Sequence, residues 1–321
     1  MKLGVLASEG SWYYRDLERA AAGLGHTCQR LEFGRLVATL RSNTASVGQA
    51  GLAQLDRAYD ETGASRNRIE ETHFSIQDIA ESYDVILVRT MPPGSLEQVV
   101  YRMDALSRIE ATGIPVINSP KSLECAVDKF LTTARLQAAG LPVPETIVCE
   151  HEDDAQLAFT QLGEDVVVKP LFGAEGRGIV RVTDPDLAHR TFRTLMRLDS
   201  VLYLQRFIDH GGCDIRVLVL DGQVVGGMRR RSPHDFRTNV ARDAIAESYE
   251  PNALEIDFAL RAAAATGAFI AGIDLLYDQQ GACYVIEVNA VPGWQAFGRV
   301  NRIDVAEALL KRLATGVCRT I

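Results

Sequence analysis

The most constraining stretch of this chain is a glycine-rich segment set between two runs of β-branched residues. Val166-Val167-Val168-Lys169-Pro170 leads into Leu171-Phe172-Gly173-Ala174-Glu175-Gly176-Arg177-Gly178, and Ile179-Val180-Arg181-Val182 follows. Glycines bring backbone N–H groups close enough to bind phosphate oxygens. In a Walker loop or a dinucleotide fingerprint a helix begins directly after the glycines. Here a second strand begins instead, which excludes both. Gly173, Gly176 and Gly178 therefore belong to a loop between two strands, able to close over a triphosphate. Lys169 ends the first strand as a compact cation for phosphate. The alternative is an ordinary glycine-rich hairpin.

A second feature lies nearer the C-terminus. Gly272-Ile273-Asp274-Leu275-Leu276 and Val285-Ile286-Glu287-Val288-Asn289 flank the turn-like Asp278-Gln279-Gln280-Gly281, the pattern of a β-hairpin. Strand alternation puts Glu287 and Asn289 on one face and Ile286 and Val288 on the other. With the loop centred between Gln280 and Gly281, Asp274 falls opposite Glu287. Facing carboxylates repel unless something positive lies between them. Two carboxylates and an amide suit hard Mg²⁺, held partly by a substrate phosphate. A solvated polar face is the alternative.

The length of 321 residues fits two domains, or three small ones. A net charge of −8 argues against a nucleic-acid binder. No apolar run approaches a membrane span. The N-terminal apolar run is too short for a signal peptide. Six cysteines without C-x-x-C spacing suit a reducing cytosol rather than a disulfide framework or zinc site.

Along the chain, residues 3–7 read as a buried strand and 13–24 as a helix stopped by Gly25, an opening typical of an α/β layer. Residues 35–71 carry weak periodicity and read as a mobile insertion with some helix. The strand at 83–89 ends in Arg89, where ligands of open α/β sheets collect, so Arg89 is a candidate substrate contact. A helix over 96–109 and a strand over 114–118 complete a first domain. Residues 122–139 read as one helix, on which Lys129 taken alone is a surface lysine. The strand at 201–208 precedes a hairpin at Asp221-Gly222. Arg229-Arg230-Arg231, His234, Arg237 and Arg242 cluster after it, which in an acidic protein suggests a face for polyanions or an acidic substrate, or else a basic edge that blunts sheet pairing. Residues 253–266 form an alanine-rich helix, and 305–313 the last one.

Taken together, these residues resemble the ATP-grasp superfamily, and within it the RimK-type glutamate ligases. The likeness runs from about residue 118 to 313. It lies in Asp128-Lys129 with Gly140-Leu141-Pro142-Val143-Pro144, in Val168-Lys169-Pro170 and the glycine loop, and in residues 205–208. It continues in Asp214-Ile215-Arg216, Asp235-Phe236-Arg237-Thr238-Asn239, Gly272-Ile273-Asp274, Glu287-Val288-Asn289 and Pro292-Gly293. The resemblance implies a mixed α/β and α+β architecture: an open α/β domain over 1–118, a central part with the glycine lid over 119–206, and a C-terminal part over 207–321. By matched position, Lys129 and Lys169 would hold the α- and β-phosphates of ATP, and Gln205, Phe207 and Ile208 would border adenine. Asn239 and the lid glycines would join them. Asp274, Glu287 and Asn289 would bind two Mg²⁺, with Mn²⁺ able to substitute. Arg216, Arg231 and Arg237 would steady the transferred phosphoryl group and an acyl phosphate.

The implied reaction activates a carboxylate with ATP and couples it to the amino group of an amino acid, typically glutamate, in a cytoplasmic homo-oligomer. Charge compensation and alignment matter more than a strong base here. RimK-type ligases often carry Arg-Gly-Gly where this chain has Arg242-Asp243-Ala244, so the amino-acid pocket is expected to differ. The segment from Arg89 to Gln98 resembles RimK-like proteins associated with tetrahydromethanopterin or methylofuran. Two other classes share the motifs: a non-catalytic ATP-binding regulator, and another ATP-grasp peptide ligase or a kinase. Retention of Lys129, Lys169, Asp274, Glu287 and Asn289 together disfavours the regulator.

Overall fold

The structure, a computed structural model, describes residues 1–40, 74–173, 177–233, 235–238 and 244–316. The chain divides into two compact units, one built on Met1–Ile117 and the other on Asn118–Leu313. Most of the expected insertion at 35–71 lies outside the described residues.

In the first unit, strands β1 (Lys2–Leu6), β2 (Thr27–Leu31), β5 (Val85–Val88) and β6 (Val116–Ile117) form a parallel sheet in the order β2-β1-β5-β6. Strands β3 (Leu36–Val37) and β4 (Phe74–Ser75) make a separate parallel pair. A parallel sheet is covered on both faces, and all four residues of β5 are accordingly apolar and buried. Helix Trp12–Gly23 starts at Ser11, whose side chain accepts from the Tyr14 amide. Helix Leu96–Ala111 opens with a capping box between Ser95 and Gln98.

The second unit holds two antiparallel sheets. Strands β7 (Thr146–Cys149), β8 (Val166–Lys169), β9 (Val180–Val182) and β10 (Leu202–Arg206) run in the order β7-β10-β8-β9. Helices Glu152–Gln161 and Pro185–Met196 cover one face through Phe159 and Phe192, whose rings meet edge to face at 6.5 Å. The larger sheet comprises β11 (Cys213–Leu220), β12 (Gln223–Arg231), β13 (Ile245–Tyr249), β14 (Ile270–Tyr277) and β15 (Cys283–Asn289), ordered β13-β12-β11-β14-β15. Helix Ala253–Thr266, capped by Asn252 and Glu255, packs its alanine face against this sheet. Strand β13 is an edge strand of partly exposed residues, and its sequence carries too weak an apolar pattern to have been recognised.

One expected element is split. Residues 122–139 form two helices, Pro120–Val127 and Lys129–Ala138, because Asp128 leaves the helical conformation and caps the second with its carboxylate on the Leu131 amide at 2.9 Å. Lys129 is therefore the first residue of a helix rather than a mid-helix surface lysine. Among the described residues, no helix is long and apolar enough to cross a membrane, and the five described cysteines are free.

Candidate active site

The facing sides of the two sheets of the second unit line an open cleft. Lys169 reaches it from the end of β8, and Lys129 from the start of its helix. Lys169 Nζ donates to Gln205 Oε1 at 2.6 Å, and Lys129 Nζ donates to the Gly173 carbonyl at 2.9 Å. Burial pushes the Lys169 pKa down to about 8, with Lys129 adding to the fall and Glu287 and Asp274 opposing it. Lys129 is lowered too, chiefly by burial and against the pull of Glu287 and Asp128. Among the described residues neither lysine has an ion-pair partner. Two such cations side by side repel each other and await an anion.

Glu287 faces these lysines from β15, directly opposite Asp274 on β14. The pairing is the expected one, but it arises differently. The turn is centred on Gln280, with the Asp278 amide donating to the Ala282 carbonyl and Tyr277 opposite Cys283. A register shift between Asp274 and Leu275 then leaves Ile286 as an extra residue on β15. Such a bulge adds one residue to one strand and re-aims its neighbours. Ile286 consequently lines the cleft beside Glu287 instead of pointing to the opposite face, as strict alternation had it. Glu287 makes no hydrogen bond or ion pair among the described residues.

Asp274 has a different environment. Arg216, its cross-strand neighbour, grips it with two hydrogen bonds of 2.6 and 2.7 Å, and Arg230 reaches it at 3.0 Å. Arg230 in turn makes a two-pronged bond to Asp214, with Nε to Oδ1 at 2.7 Å. Burial pushes the Asp274 carboxyl up, but Arg216 and Arg230 outweigh it and hold it at about 2. Burial also works against the Arg230 cation, and Asp274 and Asp214 outweigh that in the same way, raising its pKa. Part of the positive charge around Asp274 is thus supplied by the protein itself. Three of the roughly four lone-pair directions of Asp274 are taken, leaving one at Oδ1 for a cation. Asn289 follows on β15 opposite Gly272, its Oδ1 accepting from the Val291 amide at 3.0 Å.

Of the arginines at 230 and 231, the structure brings Arg230 into the cleft and not the expected Arg231. An unbroken two-residue hairpin about Asp221-Gly222 would set Arg229 opposite Asp214 and turn Arg231 to the same face. A register shift between Leu218 and Val219 instead sets Arg230 opposite Asp214. Arg230 is 2% exposed and lines the cleft, whereas the Arg231 side chain is 54% exposed and lies 3.8 Å from Glu247. Arg230 is selected by the bulge alone, whereas Asp214, two residues before Arg216 on β11, shares that residue's face whatever the register of β12.

Gln205 is buried in β10, its Nε2 donating to Thr146 Oγ1 at 2.9 Å while its Oε1 holds Lys169. Phe207 and Ile208 follow along the cleft wall. The Arg181 guanidinium lies 3.5 Å from the Phe207 ring centre, and Phe236 meets that ring edge-on at 6.0 Å. Arg237 lines the cleft with Asp235 forked across its guanidinium. Gly178 adopts a positive φ of 72°, the left-handed conformation that favours glycine in the loop between β8 and β9. Gly176 and Asn239 lie outside the described residues. Arg89 belongs to the first unit, immediately after β5, buried with its guanidinium 5.0 Å from the Tyr13 ring centre.

Residues 126–313 match the RimK-like ATP-grasp domain. The chain belongs to the RimK-like ATP-grasp family. The tetrahydromethanopterin:alpha-L-glutamate ligase of Methanococcus maripaludis is 32% identical over 251 residues, covering 77% of this chain and 82% of that protein. A probable alpha-L-glutamate ligase of Mannheimia succiniciproducens is 28% identical and covers 98% of both chains. Among solved structures, the ATP-grasp ligase PsnB complexed with minimal precursor aligns with a TM-score of 0.69 at 20% identity over 98% of both chains. D-alanine–D-alanine ligase from Bacillus anthracis complexed with ATP aligns at 0.62 and 19% identity, covering 98% of this chain and 96% of that one. The mixed α/β fold is thus the ATP-grasp fold, and the protein is an ATP-dependent, ADP-forming ligase.

Proposed function

We propose that this ligase joins the amino group of L-glutamate to a carboxylate of an anionic acceptor. In this reading the acceptor carboxylate attacks the γ-phosphorus of ATP and ADP departs. The glutamate amine then displaces phosphate from the acyl phosphate to leave an amide. The observation that carries it is the joint presence in one cleft of two half-buried lysines and the Asp274–Glu287 pair. That combination suits a triphosphate with its metal ion and serves little purpose in a closed core.

Each residue has a task in this scheme. Lys129 and Lys169 hold the α- and β-phosphates, and Gly173 and Gly178 belong to the loop that covers them. Gln205, Phe207 and Ile208 border the adenine. Arg216, Arg237 and Arg230 (in the place first given to Arg231) offset charge on the transferred phosphoryl group. Asp274, Glu287 and Asn289 would hold Mg²⁺, two ions in this reading, with Mn²⁺ able to substitute. Bound there, the metal supplies charge neutralisation and alignment for phosphoryl transfer. Arg89, a buried cation beyond the end of β5, is read as a contact for the acceptor.

The name of the Methanococcus maripaludis relative supports glutamate as the amine and a tetrahydromethanopterin-type coenzyme as the acceptor; a methylofuran-type coenzyme or a peptide end is the alternative. The protein is read as a cytoplasmic homo-oligomer. The test is incubation of purified protein with ATP, Mg²⁺, labelled glutamate and a small-molecule extract. The expected result is ADP release that depends on both glutamate and acceptor, with a product heavier by one glutamyl residue. Phosphate transfer to a stable product without any amine would make the protein a kinase. Tight ATP binding without turnover across all acceptors would make it a regulator.

A further inference from the structure

Asn118 stands at the first position of the second unit, outside the cleft, and is 1% exposed. Its amide is fully engaged by backbone. Nδ2 donates to the carbonyls of Ile270 and Ala290, and Oδ1 accepts from the amides of Phe269 at 2.6 Å and Ile270 at 3.0 Å. Since each partner is a backbone group of fixed polarity, the orientation of the amide is unambiguous. Ile270 opens β14 and Ala290 directly follows β15, so one side chain bridges both strands at the open end of the hairpin that carries Asp274, Glu287 and Asn289.

The closed end of the hairpin is fixed separately. Asp278 Oδ1 accepts from the amides of Gln280 and Ala282, and its backbone amide donates to the Ala282 carbonyl. The turn sets Leu275 opposite Val285, while the open end sets Gly272 opposite Asn289. These two registers differ by one residue, and the bulge at Ile286 absorbs the difference. Without an anchor at the open end, β15 could continue in the register of the turn. That slip would turn Glu287 and Asn289 to the opposite face of the sheet.

We propose that Asn118 is a positioning residue for the metal-binding hairpin, holding β15 in the bulged register that presents Glu287 and Asn289 to the cleft. The inference rests on the reading of Asp274, Glu287 and Asn289 as Mg²⁺ ligands. Asn118 touches neither nucleotide nor metal in this arrangement; it acts through the strand ends.

The test compares Asn118→Asp, which keeps both acceptor contacts but loses both donated bonds, with Asn118→Ser, which leaves room for water. Glu287→Gln serves as the control. Metal binding is read by Mn²⁺ paramagnetic resonance with ADP present, register by amide hydrogen exchange over residues 283–290, and nucleotide affinity by ADP titration without metal. Both Asn118 variants should weaken Mn²⁺ binding at least tenfold and speed exchange over residues 283–290, while metal-free ADP affinity changes less than twofold.

Mn²⁺ binding within twofold of the wild type, whatever the melting temperature, overturns the inference. Loss of the fold in both variants overturns it as well, by assigning Asn118 to the fold rather than to the site. If Glu287→Gln binds Mn²⁺ normally, the metal reading itself fails. If Glu287→Gln weakens binding and the Asn118 variants do not, only the present inference fails.

Discussion

Replacement of Arg230 by methionine is the sharpest probe of the cleft. In the wild type, Asp214, Arg230, Asp274 and Arg216 form a chain in which two buried carboxylates are offset by two guanidinium groups. Arg230→Met leaves Asp274 with Arg216 and strips Asp214 of its two-pronged partner. Removing one partner from a buried pair costs about 3–5 kcal/mol, because the remaining charge stays desolvated. For a unit the size of residues 118–313, that corresponds to a fall in Tm of roughly 6–20 °C, at about 2–4 °C per kcal/mol. The second change Asp214→Asn removes the orphaned charge, so the double variant should recover part of the loss. The resulting coupling should lie within about 0.5–3 kcal/mol, the usual range for groups in contact. Thermal melts and urea unfolding of the four proteins complete the cycle. A single variant melting within 2 °C of the wild type, or a double variant no better than the single, would falsify this account of the network. The wild-type pH dependence follows with a definite sign. Asp274 is held at about 2, below its ordinary value of 3.8, so its contribution is present above that value and is lost as pH falls through about 2.

Three further outcomes are expected. Lys169→Met should weaken ATP binding about 10- to 150-fold, the loss of a charged hydrogen bond of ~1.5–3 kcal/mol. Because Lys169 titrates near 8 in the free protein, wild-type affinity should fall as pH rises above that value, with proton uptake on binding detectable by calorimetry in buffers of different ionisation enthalpy. Flat affinity from pH 7 to 9.5 counts against Lys169 as a phosphate ligand. Glu287→Gln should abolish ADP release with little change in Tm, while Asp274→Asn should lose both activity and stability, since only Asp274 is tied to buried arginines. Arg231→Ala should cost at most about 1 kcal/mol, as exposed pairs do, and leave turnover near normal; a loss comparable to that of Arg230→Met would restore the original assignment.

Much of the fold is legible in the residues. The apolar runs of β1 and β5, the glycine stop at Gly25 and the Asp221-Gly222 turn carry local signals strong enough to place their elements. Asp221 and Gly222 do adopt the positive φ angles, 50° and 66°, of a two-residue hairpin turn. Asp128 carries no such local signal. A side chain that ends one helix and caps the next looks, in sequence, like one more polar position on a continuous periodic face. Yet the break is what places Lys129 at a helix start beside the Gly173 carbonyl. Strand β13 has little local signal, because its definition comes from pairing with β12.

The order of residues sets the chemistry available to this protein: two lysines, a glycine loop between strands, a hairpin with Asp274, Glu287 and Asn289, and a run of arginines. Residue type and local propensity are properties of the chain. The tertiary structure decided which of those groups meet. A shift beside Val219 brings Arg230 rather than Arg231 into the cleft, and the bulge at Ile286 reconciles the turn with the open end of the hairpin held by Asn118. The physical reason is the two-residue period of a strand: one inserted residue reverses every side chain beyond it, and where that residue is inserted depends on contacts distant in sequence.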